Sequence, residues 1–186
     1  VDPVADNTVE PDETVILMVV AGSGYTVGAP SSATGTITND DTDVSVAVAP
    51  SSTAEDGLGN MVYTFTRTGV TTGALTANFT IGGTGTFNTD YTESGAASFV
   101  PPNGTIQFAA GSSTATLTVD PTPDTTVEPD ETVILTVTAG TGYNVAAVNS
   151  SAAGTITNDD TDVSVAVSPS SVAEDGATNL VYTFTR

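Results

Sequence analysis

The chain of 186 residues has no cysteine and no histidine, and it carries 22 acidic against two basic side chains, a formal net charge of −20. Without cysteine it forms no disulfides, thiolate zinc sites or thiol redox centres. So acidic a chain also lacks the cations that contacts with nucleic acid or an anionic membrane need. Hydrophobic residues make up 38% of the chain, which argues against plain disorder.

Seven segments in which apolar and polar residues alternate predict seven β-strands in the central part of the chain. In chain order they cover residues 44–48, 61–67, 75–81, 105–108, 114–119, 132–138 and 154–158. In the second segment Met61, Tyr63 and Phe65 share one face. No stretch shows sustained helical periodicity. The pattern therefore predicts an all-β fold, an antiparallel immunoglobulin-like sandwich.

The chain also repeats itself. GTITNDDTDVSVAV occupies residues 35–48 and returns 119 positions later, and TVEPDETVIL occupies residues 8–17 and returns 118 positions later. Such periodicity predicts tandem repeats of about 118–119 residues, each long enough for its own core. We expect residues 1–41 to be the C-terminal part of one repeat, 42–160 a complete repeat and 161–186 the N-terminal part of the next. We expect the natural protein to be longer in both directions.

The acidic residues are concentrated in segments between the predicted strands, which read AED, NTDY, PDTTVEPDE and NDDTD. A solubilising acidic coat, the alternative interpretation, would spread acids along outward strand positions, where this chain has threonine, serine and asparagine. A sandwich brings alternate loops to one end, and oxygen ligands without histidine or cysteine select Ca²⁺ over transition metals. The segments therefore predict a calcium site at one end of each sandwich.

These segments, in this order, resemble a Calx-beta repeat. The resemblance covers the whole repeat and both partial repeats, and it implies an immunoglobulin-like sandwich that binds Ca²⁺ at one end. The ligands it implies in the whole repeat are Glu55, Asp90, Asp124, Glu128, Glu131, Asp159 and Asp160. The matching positions are Asp6, Glu10, Glu13, Asp40 and Asp41 in the first partial repeat, and Glu174 in the last.

The chain departs from the family pattern at two positions. Pro123 precedes Asp124 where many relatives have paired acids, and the closing triplet begins with the amide of Asn158. We therefore expect one to three ions at each junction between repeats. Asp56 and Asp175 are expected to be loop acids or caps.

The segment NDDTD ends one sandwich, and the next strand begins at Val44 or Val163, with almost no linker. Its acids are thus placed to bind a cation and to fix the angle between successive domains, an angle that a Gly/Ser-rich tether would leave free. Asp43 and Asp162 are expected on the neighbour's side of the junction. A polar turn without a ligand is the alternative.

The function predicted from these features is structural and not enzymatic: a calcium-stiffened segment of a secreted, extracellular stalk, adhesin or surface or matrix filament. Its partners would be the neighbouring repeats and other copies in a fibre or matrix. No histidine, cysteine or lysine is present to build the usual nucleophile–base pairs. One alternative is a calcium-sensing regulatory module of a transporter or receptor, although near-identical repeats favour the fibre. Another is a spacer in a carbohydrate- or peptide-cleaving enzyme.

Three tripeptides match the N-glycosylation sequon. They begin at Asn78, Asn103 and Asn149. Asn78 is predicted to lie at an outward strand position, where a glycan has room.

Overall fold

Fifteen β-strands make up the computed structural model, which describes residues 1–186. In chain order they are β1 (Glu13–Met18), β2 (Ser32–Ile37), β3 (Thr42–Ala49), β4 (Ser52–Ala54), β5 (Met61–Gly69), β6 (Leu75–Gly83), β7 (Tyr91–Ser94), β8 (Ser98–Val100), β9 (Asn103–Phe108), β10 (Thr114–Pro121), β11 (Glu131–Thr138), β12 (Asn144–Val145), β13 (Ser151–Thr157), β14 (Ser164–Ser168) and β15 (Val181–Thr185). The structure has no helix of the length and hydrophobicity that crossing a membrane requires.

Residues 42–157 form a sandwich of two sheets. One sheet has the order β12-β3-β5-β10-β7 and the other the order β4-β13-β11-β6-β9-β8. Neighbouring strands are antiparallel except at β12–β3 and β13–β4, which are parallel. The all-β sandwich predicted from the sequence is confirmed, and each of the seven predicted strands overlaps an observed one. The seventh predicted strand was expected to end at Asn158, but β13 ends at Thr157. The backbone N–H of Asn158 donates to the carboxylate of Asp130 and not to a neighbouring strand.

The core lies between the two sheets and follows from the period-two alternation. Met61, Tyr63 and Phe65 of β5 are completely buried, and the Phe65 ring lies 5.5 Å from that of Phe79 in the other sheet. The Tyr63 hydroxyl donates to the Val133 carbonyl at 2.6 Å, so one polar bond also crosses the core. Burying each large apolar side chain stabilises the fold by about 1.5–3 kcal/mol. Eighteen buried residues form this single cluster, so the sandwich has one continuous core.

The flanking hairpins repeat the strand pairing of the sandwich. β1 pairs with β2 in the register of β11 with β13, since Glu13 lies opposite Ile37 as Glu131 lies opposite Ile156. β14 pairs with β15 as β3 pairs with β5. Burial differs, because Leu17 is 66% exposed whereas the equivalent Leu135 is fully buried. Local sequence thus sets the pairing, and the other strands of a repeat supply the burial. The division at residues 41 and 160 stays a prediction.

Candidate metal centre

Two parallel strands bring the first acids to one end of the sandwich. In the β13–β4 pair Thr157 lies opposite Ala54, so both strands finish at the same level. Glu55 follows β4 directly, and its backbone N–H donates to the Thr157 carbonyl at 3.0 Å. Asp159 and Asp160 follow β13. The AED and NDD segments are therefore adjacent, although about a hundred residues separate them in the chain.

The remaining acids reach the same end from three other places. Asp90 immediately precedes β7, and its carbonyl accepts a hydrogen bond from the Thr122 N–H at 2.9 Å, just beyond β10. The segment between β10 and β11 carries Asp124 and Glu128. Glu131 is the first residue of β11. Five chain segments thus place the predicted ligands of the whole repeat at one end.

The carboxylates form two triplets that share one member. Oxygens of Glu55, Asp124 and Glu128 lie within 4.8 Å of one another, and so do oxygens of Asp90, Glu128 and Glu131. Glu55 is 2% exposed and Asp90 is 9% exposed, which is unusual for charged side chains. Asp90 accepts a hydrogen bond from the Thr86 N–H, whereas one oxygen of Glu55 has no donor. The shared Glu128 makes the triplets adjacent, so its carboxylate would be available as a ligand at both.

Burial and mutual repulsion disturb the ionisation of these groups. Burial raises the pKa of Glu55 to about 7, and Asp124 and Glu128 add to the rise. Burial also raises the pKa of Glu131 to about 7, with Asp90 as the next cause. Asp124 is different, because the Thr126 N–H donates to its Oδ1 at 2.6 Å and lowers its pKa. In the absence of a cation, the buried Glu55 and the half-buried Glu131 thus resist ionisation near neutral pH.

Three buried carboxylate oxygens have no hydrogen-bond donor: Glu55 Oε1, Glu131 Oε2 and Asp160 Oδ2. A buried acceptor without a partner costs about 1–3 kcal/mol, so native proteins seldom leave one. Each of these oxygens belongs to a residue predicted as a metal ligand. Hard cations held by the two triplets would supply the missing partner of each glutamate oxygen, and Ca²⁺ takes six to eight oxygen ligands.

The acids after β13 lie beside the triplets and belong to neither. Oδ1 of Asp159 accepts a hydrogen bond from the Asp56 N–H at 3.3 Å. Burial raises the pKa of Asp160, and next in effect are Asp56 and Asp159. Asp159 therefore contacts the AED turn, and neither Asp159 nor Asp160 joins a carboxylate triplet.

The predicted ligands of the partial repeats are placed differently. Those of the first line one cavity of about 370 Å³; they are Asp6, Glu10, Glu13, Asp40 and Asp41. Burial raises the pKa of Asp41, followed by the charges of Asp40, Asp6 and Asp43. Glu174 and the neighbouring Asp175 lie exposed between β14 and β15, outside both triplets. The ligand assignment for the flanking parts stays a prediction.

The first partial repeat contacts the opposite end of the whole sandwich. The Asn144 side-chain amide donates to the Asn7 carbonyl at 2.9 Å, and the Val70 N–H donates to the Asp41 carbonyl at 3.2 Å. Asp43 lies in β3, in the same sheet as Asn144. The backbone next to predicted ligands therefore touches the following domain directly.

Two structural roles were not predicted from the sequence, that of Asn158 at the acidic end and that of Arg67 at the opposite end of the sandwich. Asn158, interpreted as an amide in place of an acid, makes three hydrogen bonds that join separate acidic segments. Arg67 is 3% exposed and donates to the carbonyls of Thr71, Gly73, Ala109 and Ser112. The alternation of inward and outward residues in β5 could have predicted the burial of Arg67, because Arg67 continues the inward row of Met61, Tyr63 and Phe65.

The three sequons differ in exposure. Asn78 is half-buried, and its side-chain amide donates to the Ala139 carbonyl at 3.1 Å. Asn103 and Asn149 are exposed, and Asn149 has a φ of 57°. Glycosylation at any of the three stays a prediction.

The fold is similar to solved structures of Calx domains. The crystal structure of the apo-form Calx CBD1 domain matches with a TM-score of 0.47 and 20% identity over 63% of this chain and 98% of that one. CBD12 from CALX1.2 matches with a TM-score of 0.49 and 19% identity, over 63% of this chain and 46% of that one. The calcium binding domain CBD12 of CALX1.1 matches with a TM-score of 0.47 and 20% identity, over 62% and 44%.

No family model matches the sequence, and no curated protein does either. At identities of 19–20% the matches are likenesses of fold, and they assign no ligand to the present chain. The indication of a calcium site therefore comes from the carboxylates of this chain.

Proposed function

We propose that each repeat binds Ca²⁺ at its acidic end and that the ions stiffen the junction with the next repeat. The observation that supports this most strongly is the pair of carboxylate triplets joined by Glu128, with buried glutamate oxygens that have no donor. Ca²⁺ is the cation that fits best, because the ligands are all oxygen and several chain segments supply them. Mg²⁺ demands a tighter octahedron and retains its water.

The proposed setting is extracellular, in a secreted stalk, adhesin or filament. Carboxylate sites of extracellular modules bind Ca²⁺ with a Kd of about 10⁻⁴–10⁻³ M, which suits a millimolar calcium environment. The repeats at residues 8–17 and 126–135 are identical in sequence, as a uniform array requires. A sensor module of a transporter or receptor needs one or two tuned copies, so the repetition favours the array. No catalytic role is included in the proposal.

Calcium binding is tested by thermal unfolding of the 186-residue chain in Ca²⁺, in Mg²⁺ and in chelator. An ion that binds only the folded state stabilises it by about 2.7 kcal/mol at a hundredfold excess over Kd. The midpoint is expected to rise with Ca²⁺ by about 4 °C for each kcal/mol, and to rise much less with Mg²⁺. An unchanged midpoint in Ca²⁺ would rule out the proposed function.

The variant Glu128→Gln identifies the site, because it removes the ligand that both triplets share. We expect it to lose most of the calcium-dependent rise. In chelator it should be at least as stable as the wild type, since one of several repelling charges is gone. Asp120→Asn is the matched control: it removes one charge from an exposed residue of β10 outside both triplets. The control should keep the full rise with Ca²⁺.

A further inference from the structure

Asn158 is at the centre of a hydrogen-bond network that joins three parts of the acidic end. Its side-chain oxygen accepts from the Glu128 N–H at 3.2 Å, and its side-chain amide donates to the Asp160 carbonyl at 3.2 Å. Its own N–H donates to Oδ1 of Asp130 at 3.1 Å. One side chain thus ties the segment that carries the shared ligand Glu128 to the tail that leads into the next repeat.

The same three bonds occur at Asn39. Its side chain accepts from the Glu10 N–H at 3.2 Å and donates to the Asp41 carbonyl at 3.1 Å, while its N–H donates to Asp12 at 3.0 Å. This copy forms around the β1–β2 hairpin, without the segments that carry Glu55 and Asp90 in the whole repeat. The network is therefore a property of the VEPDE and NDD segments themselves.

The network requires an amide at this position. Asparagine offers an acceptor and a donor on one short side chain, whereas an ionised aspartate only accepts. An acid at position 158 could accept from the Glu128 N–H and could not donate to the Asp160 carbonyl. The amide at the head of the NDD triplet connects two segments that carry ligands, so its presence is explained without a lost ligand.

We propose that Asn158 and Asp130 are positioning residues for the calcium site, which hold Glu128 and the Asp160 tail in register. Asn39 and Asp12 have the same role in the preceding repeat. The proposal rests on the proposed calcium function and adds residues that contact no ion. Through them, an ion held by Glu128 is connected to the backbone of the junction by two hydrogen bonds.

The test is calorimetric titration of Ca²⁺ into the 186-residue chain and its variants. Asn158→Ala is expected to weaken binding about 10- to 100-fold, the usual effect of losing a residue that supports metal ligands. Asp130→Ala is expected to weaken binding as well. Asp130→Asn keeps an oxygen that accepts from the Asn158 N–H, so its affinity should stay within about threefold of the wild type. Asn103→Ala, at an exposed amide on β9, is the control for losing an asparagine.

The outcomes separate the two proposals. If the wild type takes up no Ca²⁺, the calcium function is wrong and the positioning role is wrong with it. If the wild type binds and Asn158→Ala binds equally well, the positioning role alone is contradicted. If Asp130→Asn binds Ca²⁺ as weakly as Asp130→Ala does, the affinity depends on the charge of Asp130 and not on its hydrogen bond. That result also contradicts the positioning role. The Asp130 pair decides the question even if Asn158→Ala does not fold.

Discussion

Glu55 and Glu131 show what the acidic end does to a single side chain. Both carboxyls have their pKa raised from 4.5 to about 7, chiefly by burial and further by neighbouring acids. A carboxyl whose pKa is higher in the folded than in the unfolded state binds more protons when folded. Between about pH 4.5 and pH 7 these glutamates therefore make the calcium-free protein less stable as pH rises.

The pH dependence can be measured by urea unfolding in chelator at pH 5, 6, 7 and 8. The free energy of unfolding is expected to fall across this range, because the unfolded chain releases protons that the folded chain retains. The lowered pKa of Asp124 acts in the opposite sense, below its ordinary value of 3.8, and so outside this window. Saturating Ca²⁺ at pH 8 should restore the lost stability. Stability that rises steadily from pH 5 to pH 8 in chelator would show that the glutamates are not buried as described.

Arg67 connects two turns at the far end of the sandwich. Its guanidinium donates to Thr71 and Gly73 in the turn between β5 and β6, and to Ala109 and Ser112 in the turn between β9 and β10. It also lies 5.4 Å from the centre of the Phe108 ring, at the distance of a cation–π contact. These turns border Val70, which contacts the preceding repeat, so the arginine supports the surface that receives a neighbour.

Replacement of Arg67 by methionine keeps most of the apolar stem and removes the donors. We expect a loss of about 2–4 kcal/mol in the free energy of unfolding, since four hydrogen bonds from a buried charged donor are lost. Urea unfolding measures this, with Arg186→Met as the matched control. Arg186 occupies the equivalent position just after β15, where it is exposed. Equal effects of the two changes would mean that the carbonyl contacts of Arg67 contribute nothing to stability.

Some strands of the sandwich can be predicted from the alternation of apolar and polar residues in the sequence, and others cannot. The seven predicted strands each bury a row of apolar side chains, and that row is the signal that alternation detects. β4, β7, β8 and β12 have two to four residues, too few for a period to be visible. Each lies at the outer position of its sheet, where packing on the rest of the sandwich sets the conformation. The sequence alone does not contain that information.

The sequence predicts that the acids meet at one end of the sandwich, but it does not predict the role of Asn158 or the burial of Glu55. The acids stand in loops, and a sandwich collects loops at its ends, so their approach follows from topology. The role of Asn158 does not follow, because its partners Glu128 and Asp130 lie 30 and 28 residues away and meet it only after β11 and β13 have paired. The burial of Glu55 likewise depends on the parallel pairing of β13 with β4, which no local sequence pattern predicts.

Over the whole molecule, the acidic end of one repeat meets the turn end of the next. At the observed junction Asn144 donates to Asn7, Val70 donates to the carbonyl of Asp41, and Val9 approaches Gly69. Successive domains of a chain move relative to one another unless their interface is large and hydrophobic. The carboxylates beside it repel one another without a cation, which favours movement of the acidic tail. Calcium would remove that repulsion and hold the tail against its own sandwich.

The stiffening of the junction by calcium is tested by small-angle X-ray scattering from three successive repeats, with Ca²⁺ and with chelator. A calcium-stiffened junction predicts a rod in Ca²⁺ and a particle with a shorter and more variable maximum dimension in chelator. The double change Asp159→Ala and Asp160→Ala in each repeat should give the chelated behaviour even in Ca²⁺, while each sandwich stays folded. An identical maximum dimension with and without Ca²⁺ would contradict the account, because the junction would then be rigid, or flexible, regardless of the ion.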